Sequence, residues 1–98
     1  MNYTLIFRDK AVKELSDAYK WYETEQQGLG EFFLKTVNEY TEAILKNPEA
    51  FKITYKNFRE LWIKKFPYLV VYYIDGRKNK IVIISIFHTS RNPKKKFR

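Results

Sequence analysis

Ninety-eight residues with 45% apolar content, eight Tyr, eight Phe and two Trp suffice for one domain with a real core and are too few for two ordinary ones. With no cysteine, disulfides, thiolate nucleophiles and cysteine-based metal sites are excluded. The net charge of +8 is unevenly held: residues 1–50 carry six Lys/Arg against nine Asp/Glu, and residues 51–98 carry thirteen against two. That segregation implies a basic face for an acidic partner, either nucleic acid or an acidic protein segment.

In chain order, residues 2–7 (NYTLIF) are rich in β-formers and predict a first strand. The stretch MNYTLIFRDK has no basic region followed by a long apolar one, so it does not read as a signal peptide. From Asp9 the period changes. Ala11, Val12, Leu15, Ala18, Tyr19 and Tyr22 recur at three- and four-residue steps, one apolar stripe on a helix that Asp9 is placed to cap. Gly28 and Gly30 interrupt it. A second helix presents Phe33, Val37, Tyr40 and Ile44 on one face and should end near Asn47-Pro48. Two amphipathic helices across so short a break predict an αα-hairpin, with Trp21-Tyr22 packing inside it.

Beyond Pro48 the helical period is gone. Residues 52–55, 58–66, 68–75 and 80–88 are β-type runs, separated by Lys56-Asn57, a bend at Pro67 and the loop DGRKN. Short connections favour an antiparallel meander. The expected fold is α+β: an N-terminal strand and an α-helical hairpin packed on a mainly antiparallel β-sheet, all in one domain with a basic tail at 89–98. The longest apolar runs, LVVYYI and IVIISIF, fall far below the ~18 residues of a membrane span. The expectation is a soluble, cytoplasmic protein that does not contact membrane.

Few chemistries fit. One histidine and acids gathered in the helical half give no metal-ligand cluster. GLG lies between helices rather than after a strand, so nothing cradles a phosphate or calls for a cofactor. Ser90 lies two residues from His88 but in no nucleophile elbow. A metal-free ribonuclease needs a base, an acid and cations around phosphate. Glu60, His88 and Arg91 could supply them, with Arg59, Lys64 and Lys65 as further cations. Against this, a lone histidine at a strand end usually satisfies a backbone group or faces water. Trp62 on a strand shares a face with Phe58, Glu60 and Lys64. The commoner fate of such a residue is to fill the space between sheet and helices; exposed, it would stack on a base or anchor a partner.

The stretches AYKWYE (18–23), GLGEFFL (28–34), KNPEAF (46–51), FRELWIKKFPYLVVYYI (58–74) and IVIISIFHTSRNPKK (81–95), in this order and spacing, resemble the RelE/ParE superfamily of bacterial toxins. The pairing of FPYLVVYYI with IFHTSRNPKK is similar to its ParE branch. The resemblance implies a type II toxin held inactive by a cognate antitoxin in a hetero-oligomer, the antitoxin's acidic segment meeting the basic half of this chain. It also implies one of two targets. ParE-like members poison DNA gyrase by trapping its cleaved DNA complex. RelE-like members cut mRNA on the ribosome and commonly carry an arginine where this chain has Tyr68. Losing a cation that stabilises the transition state costs on the order of 3 kcal/mol of barrier. The departures favour the gyrase reading, with Arg59, Trp62, Lys64, Lys65, His88, Arg91, Lys94, Lys95 and Lys96 binding target or partner by charge and shape. The alternatives are a RelE-like endoribonuclease using Glu60, His88 and Arg91, and a non-toxic basic nucleic-acid-binding module.

Overall fold

Two helices lie on one face of a five-stranded sheet in the computed structural model, which describes residues 2–97. Met1 and Arg98, the ends of the expected domain and tail, lie outside the described residues. The elements run β1 (Thr4–Phe7), α1 (Asp9–Glu25), α2 (Leu29–Lys46), a 3-10 turn at Pro48–Ala50, β2 (Ile53–Tyr55), β3 (Phe58–Trp62), β4 (Tyr68–Asp75), β5 (Lys80–His88) and a 3-10 turn at Pro93–Lys95. The sheet order is β1-β5-β4-β3-β2. The last four strands form the expected antiparallel meander, and β1 joins its far edge parallel to β5. That pairing is available because the helical hairpin carries the chain from β1 across the sheet.

Ala11, Ala18, Phe33, Val37 and Ile44 project from the helices onto Val70, Tyr72, Ile81, Ile83 and Ile86 of the central strands, forming the main core. Val12, expected in the α1 stripe, is 51% exposed. Tyr72 is fully buried and donates a 2.6 Å hydrogen bond to the Pro48 carbonyl; burial pushes its phenol up to about 12. Arg59, opposite Tyr72 on β3, donates to the carbonyls of Glu49 and Phe51. Together these two side chains fasten the 48–51 crossover to the sheet.

Three local expectations are corrected. Asp9 is the first helical residue of α1 rather than its cap. The capping position is Arg8, without a side-chain cap bond, and the Asp9 carboxylate acts on the helix dipole alone. β3 ends at Trp62 instead of residue 66. The Ile63 amide still pairs with the Tyr68 carbonyl, but Lys64 donates its amide to the Tyr40 hydroxyl of α2 and Phe66 turns into the core. Finally, Trp21 and Trp62 do not pack the interior. They are 59% and 60% exposed, while Tyr22, beside Trp21, does pack against Phe33 and Phe66.

A second apolar cluster covers the face of the sheet turned away from the helices. Leu69, Val71, Val82, Ile84 and Phe87 form it, with Phe58, Tyr73 and Phe97 packed on top. Both faces of β4 and β5 are therefore buried, which is why those strands read as continuous apolar runs instead of alternating. The basic tail closes this second face. Lys96 forms a 3.1 Å ion pair with Glu60, Lys10 of α1 donates to the carbonyls of Lys95 and Lys96, and Phe97 stacks on Tyr55 and Phe58.

Candidate functional site

An irregularity in β5 builds the site. Val71 faces Ser85 and Tyr72 faces Ile83, so Ile84 is an extra residue and the strand bulges there. The Glu14 carboxylate, reaching from α1, fits against that bulge. One oxygen accepts from the Ser85 hydroxyl at 2.8 Å and from the Ile86 amide at 3.0 Å; the other lies 3.4 Å from the Arg91 guanidinium. Only 11% of the Glu14 side chain is exposed. A carboxylate so enclosed is tolerated because its oxygens are partnered.

After β5 the chain turns sharply. Thr89 donates its amide to the Pro67 carbonyl, and Arg91 donates its own to the His88 carbonyl, which brings the Arg91 side chain back over Glu14. The Ser90 amide donates to His88 Nδ1 at 3.1 Å, with the Ser90 hydroxyl 2.7 Å from the same nitrogen. An Nδ1 that accepts from an amide leaves the proton of the neutral ring on Nε2. The His88 ring meets Tyr68 edge-on at 4.9 Å, and Tyr68 meets Tyr22 behind it. Burial raises the Tyr68 phenol above its ordinary value, with Tyr22 and Glu14 adding to the rise and Arg91 opposing it.

The result is an open cleft of about 370 Å³ between α1 and the end of β5. Its floor is Ala18 and Ile86. Glu14, Asp17, Tyr68, His88, Ser90 and Arg91 supply polar groups, and the exposed Trp21 indole forms one wall. Such a cleft can hold a planar group against Trp21, with His88 offering a directed N–H. Within the cleft Arg91 is the sole guanidinium or ammonium among the lining residues, and it already shares Glu14.

The structure brings together some of the residues singled out in the sequence and separates others. His88 and Arg91 meet in the cleft. Lys64 and Lys65 are exposed in the β3–β4 loop at the same end of the sheet, where Lys65 lies over the Phe32 ring. Trp62 ends β3 there, paired with Leu69 and so facing away from the helices. Glu60 faces Val71 on that same far side, whereas His88 faces Tyr68 on the helix side. The carboxylate expected to work with His88 and Arg91 is thus on the opposite face of the sheet, paired with Lys96. Arg59 holds the crossover. Lys94 and Lys95 are exposed in the tail.

The helical period sets Glu14 and Asp17 opposite the apolar stripe of α1, and Trp21 in the packing of the hairpin; the structure instead turns Glu14 inward against β5 and lines the cleft with all three. The signal was present: Ala11, Glu14, Ala18 and Trp21 follow one another at three- and four-residue steps, placing an acid on the core-facing stripe between two alanines. An acid in such a position demands buried donors, and small neighbours leave room beside it.

A family model described as the ParE toxin of type II toxin–antitoxin system, parDE, matches residues 5–93. No curated protein sequence matches the chain. Among solved structures, the chromosomal ParDE system from Pseudomonas aeruginosa superposes with a TM-score of 0.67 at 21% identity, covering 90% of this chain and 97% of that one. The isolated Escherichia coli RelE toxin gives 0.69 at 21% identity, covering 94% and 89%. The intact E. coli RelBE toxin–antitoxin complex gives 0.70 at 22% identity, covering 91% and 99%. At these identities the likeness is one of fold. Among the described residues no helix is long and apolar enough to cross a membrane.

Proposed function

The chain belongs to the ParE toxin family of type II toxin–antitoxin systems, within the RelE/ParE superfamily, and from that premise we propose that it poisons DNA gyrase by trapping its cleaved DNA complex. A cognate antitoxin neutralises it, and both act in the cytoplasm. The observation that carries the choice of target is the composition of the cleft. Phosphodiester cleavage requires a base, an acid and cations converging on one phosphate. Here Arg91 shares its charge with Glu14, both Glu14 oxygens are engaged, and Glu60 lies across the sheet. Tyr68 stands where the nuclease reading wants a cation. The cleft suits recognition better than hydrolysis.

In this reading His88, Arg91 and Trp21 meet the target, with Lys64 and Lys65 extending the surface along the β3–β4 loop. Supporting an antitoxin partner, several structural neighbours are toxin–antitoxin complexes, including those of E. coli, Mycobacterium tuberculosis and Pyrococcus horikoshii. The basic half of the chain provides the complementary charge for an acidic antitoxin segment. Incubating the purified chain with gyrase, ATP and relaxed plasmid tests the target. Gyrase-dependent linear plasmid, abolished by antitoxin, is the expected product.

A further inference from the structure

The far face of the sheet carries a feature that the toxin reading does not use. β2 and β3 are joined at Lys56-Asn57, where Lys56 takes a left-handed conformation (φ 49°). Beside this turn the Phe97 ring lies across Tyr55 and Phe58, at 4.7 and 5.1 Å with interplanar angles of 30° and 27°; Tyr55 and Phe58 are themselves near-parallel at 6.3 Å, and the flexible Lys56 side chain places its ammonium 5.3 Å over the Tyr55 ring. In the main core, Tyr22–Phe66 and Phe33–Phe66 are edge-on, at 65° and 83°, and Tyr22–Phe33 is tilted at 38°. The near-parallel stack presents a flat surface, and Tyr55 is 47% exposed. A shallow cavity of about 610 Å³ opens over it, bounded by Tyr55, Lys56, Asn57, Phe58, Lys94 and Phe97. That lining has two ammonium groups and no carboxylate. Glu60, the acid of β3, is folded beneath the tail on Lys96. The same face of β3 continues to the exposed Trp62, ~13 Å along the strand from Phe58.

One exposed tyrosine ring backed by two half-buried ones, with lysines beside it and no acid in the lining, matches one ligand chemistry: an unpaired nucleobase with a phosphate on either side. An acidic peptide would satisfy the lysines and leave the ring stack facing water. A second copy of this chain, itself carrying +8, would be repelled. We propose that the face built by Tyr55, Phe58 and Phe97 binds single-stranded nucleic acid, a base stacking on Tyr55 with its flanking phosphates on Lys56 and Lys94. This binding is independent of which enzyme the toxin attacks.

Fluorescence anisotropy with the intact chain and labelled oligonucleotides of about ten residues tests the proposal, since sites of this kind cover several nucleotides. Deoxy and ribo single strands are run beside the matching duplex, which distinguishes the two sources of the base. Single strands should bind more tightly than duplex. Tyr55→Ala should weaken binding about tenfold or more, while Tyr55→Trp retains it. The double variant Lys56→Gln/Lys94→Gln should lower the salt slope by about two, one for each phosphate left without its lysine. Tyr55 is a surface residue, and an unchanged circular dichroism spectrum verifies folding of each variant. Equal binding of duplex and single strand, or an undiminished Tyr55→Ala, would overturn the proposal, because charge alone would then explain the affinity. Displacement by a glutamate-rich peptide as effective as by oligonucleotide would overturn it too, showing a surface for acidic segments.

Discussion

Glu14 does two jobs with its two carboxylate oxygens, and substitution can separate them. Oε1 completes the β5 bulge by accepting from Ser85 and Ile86, and Oε2 holds Arg91 over the cleft. Glu14→Ala strands a buried hydroxyl and a buried amide, at about 1–3 kcal/mol for each group left unsatisfied. Urea unfolding should therefore show a loss on the order of 3 kcal/mol. Glu14→Gln keeps a carbonyl oxygen for the bulge and removes the charge facing Arg91. It should unfold within about 1 kcal/mol of wild type, since the Arg91 guanidinium is half-exposed and can turn to water once the facing charge is gone. Equal losses from both variants would mean that the charge, not the acceptor, holds the bulge. At this scale the sequence was only partly readable. His88 and Arg91 stood out as a rare residue and a cation leaving a strand. Glu14 did not, because its partners sit more than seventy positions away and are visible only once α1 is laid on β5.

The helical hairpin was legible as an element because period and breaker residues agree. Its close packing is a finer matter. Gly28 occupies a left-handed conformation (φ 88°), and the Glu23 carboxylate accepts from the amides of Gly28 and Gly30, which holds its pKa below the ordinary glutamate value. That contribution is present above the unfolded-state pKa and is lost as pH falls through the folded one. At Gly30 an added Cβ would come 2.6 Å from the Tyr19 carbonyl oxygen, a backbone atom that cannot swing aside. Alanine normally improves a helix by about 1 kcal/mol over glycine. Here the sign reverses. Gly30→Ala should destabilise by about 1–3 kcal/mol through forced separation of the helices, measured as a lower denaturation midpoint. A stabilised variant would show that the hairpin relaxes freely. The strand boundary near Trp62 was less legible, since FRELWIKKF offers no breaker before Pro67. The turn there is set by Tyr40 of α2 and by burial of Phe66, both tertiary effects.

Across the whole molecule, the charge asymmetry sets the second half of the chain apart but does not foretell how the tail packs. In the sequence the tail at 89–98 reads as part of a binding surface, through Lys94, Lys95 and Lys96. Over its described residues it also closes the second core, with the Lys96 and Glu60 side chains only 18% and 6% exposed. The hint lay in Phe97, an aromatic among lysines, and in β4 and β5, whose unbroken apolar runs require cover on both faces. An enclosed ion pair is costly to break from one side, by about 3–5 kcal/mol, and often neutral to replace from both. Lys96→Met should therefore destabilise by several kcal/mol on that scale, whereas Glu60→Gln/Lys96→Met should recover most of the loss. A double variant as unstable as the single one would show that Lys96 acts through packing alone.

The central claim, a cleft that recognises gyrase and does not hydrolyse RNA, meets its most direct test in gyrase-mediated supercoiling of relaxed plasmid, quenched with detergent and protease. Wild-type chain is predicted to yield linear plasmid that requires gyrase and disappears when antitoxin is added, and Arg91→Ala to yield far less. No inhibition and no linear product, together with mRNA cleavage by the same preparation on translating ribosomes, would contradict the account and assign the cleft to RNA instead.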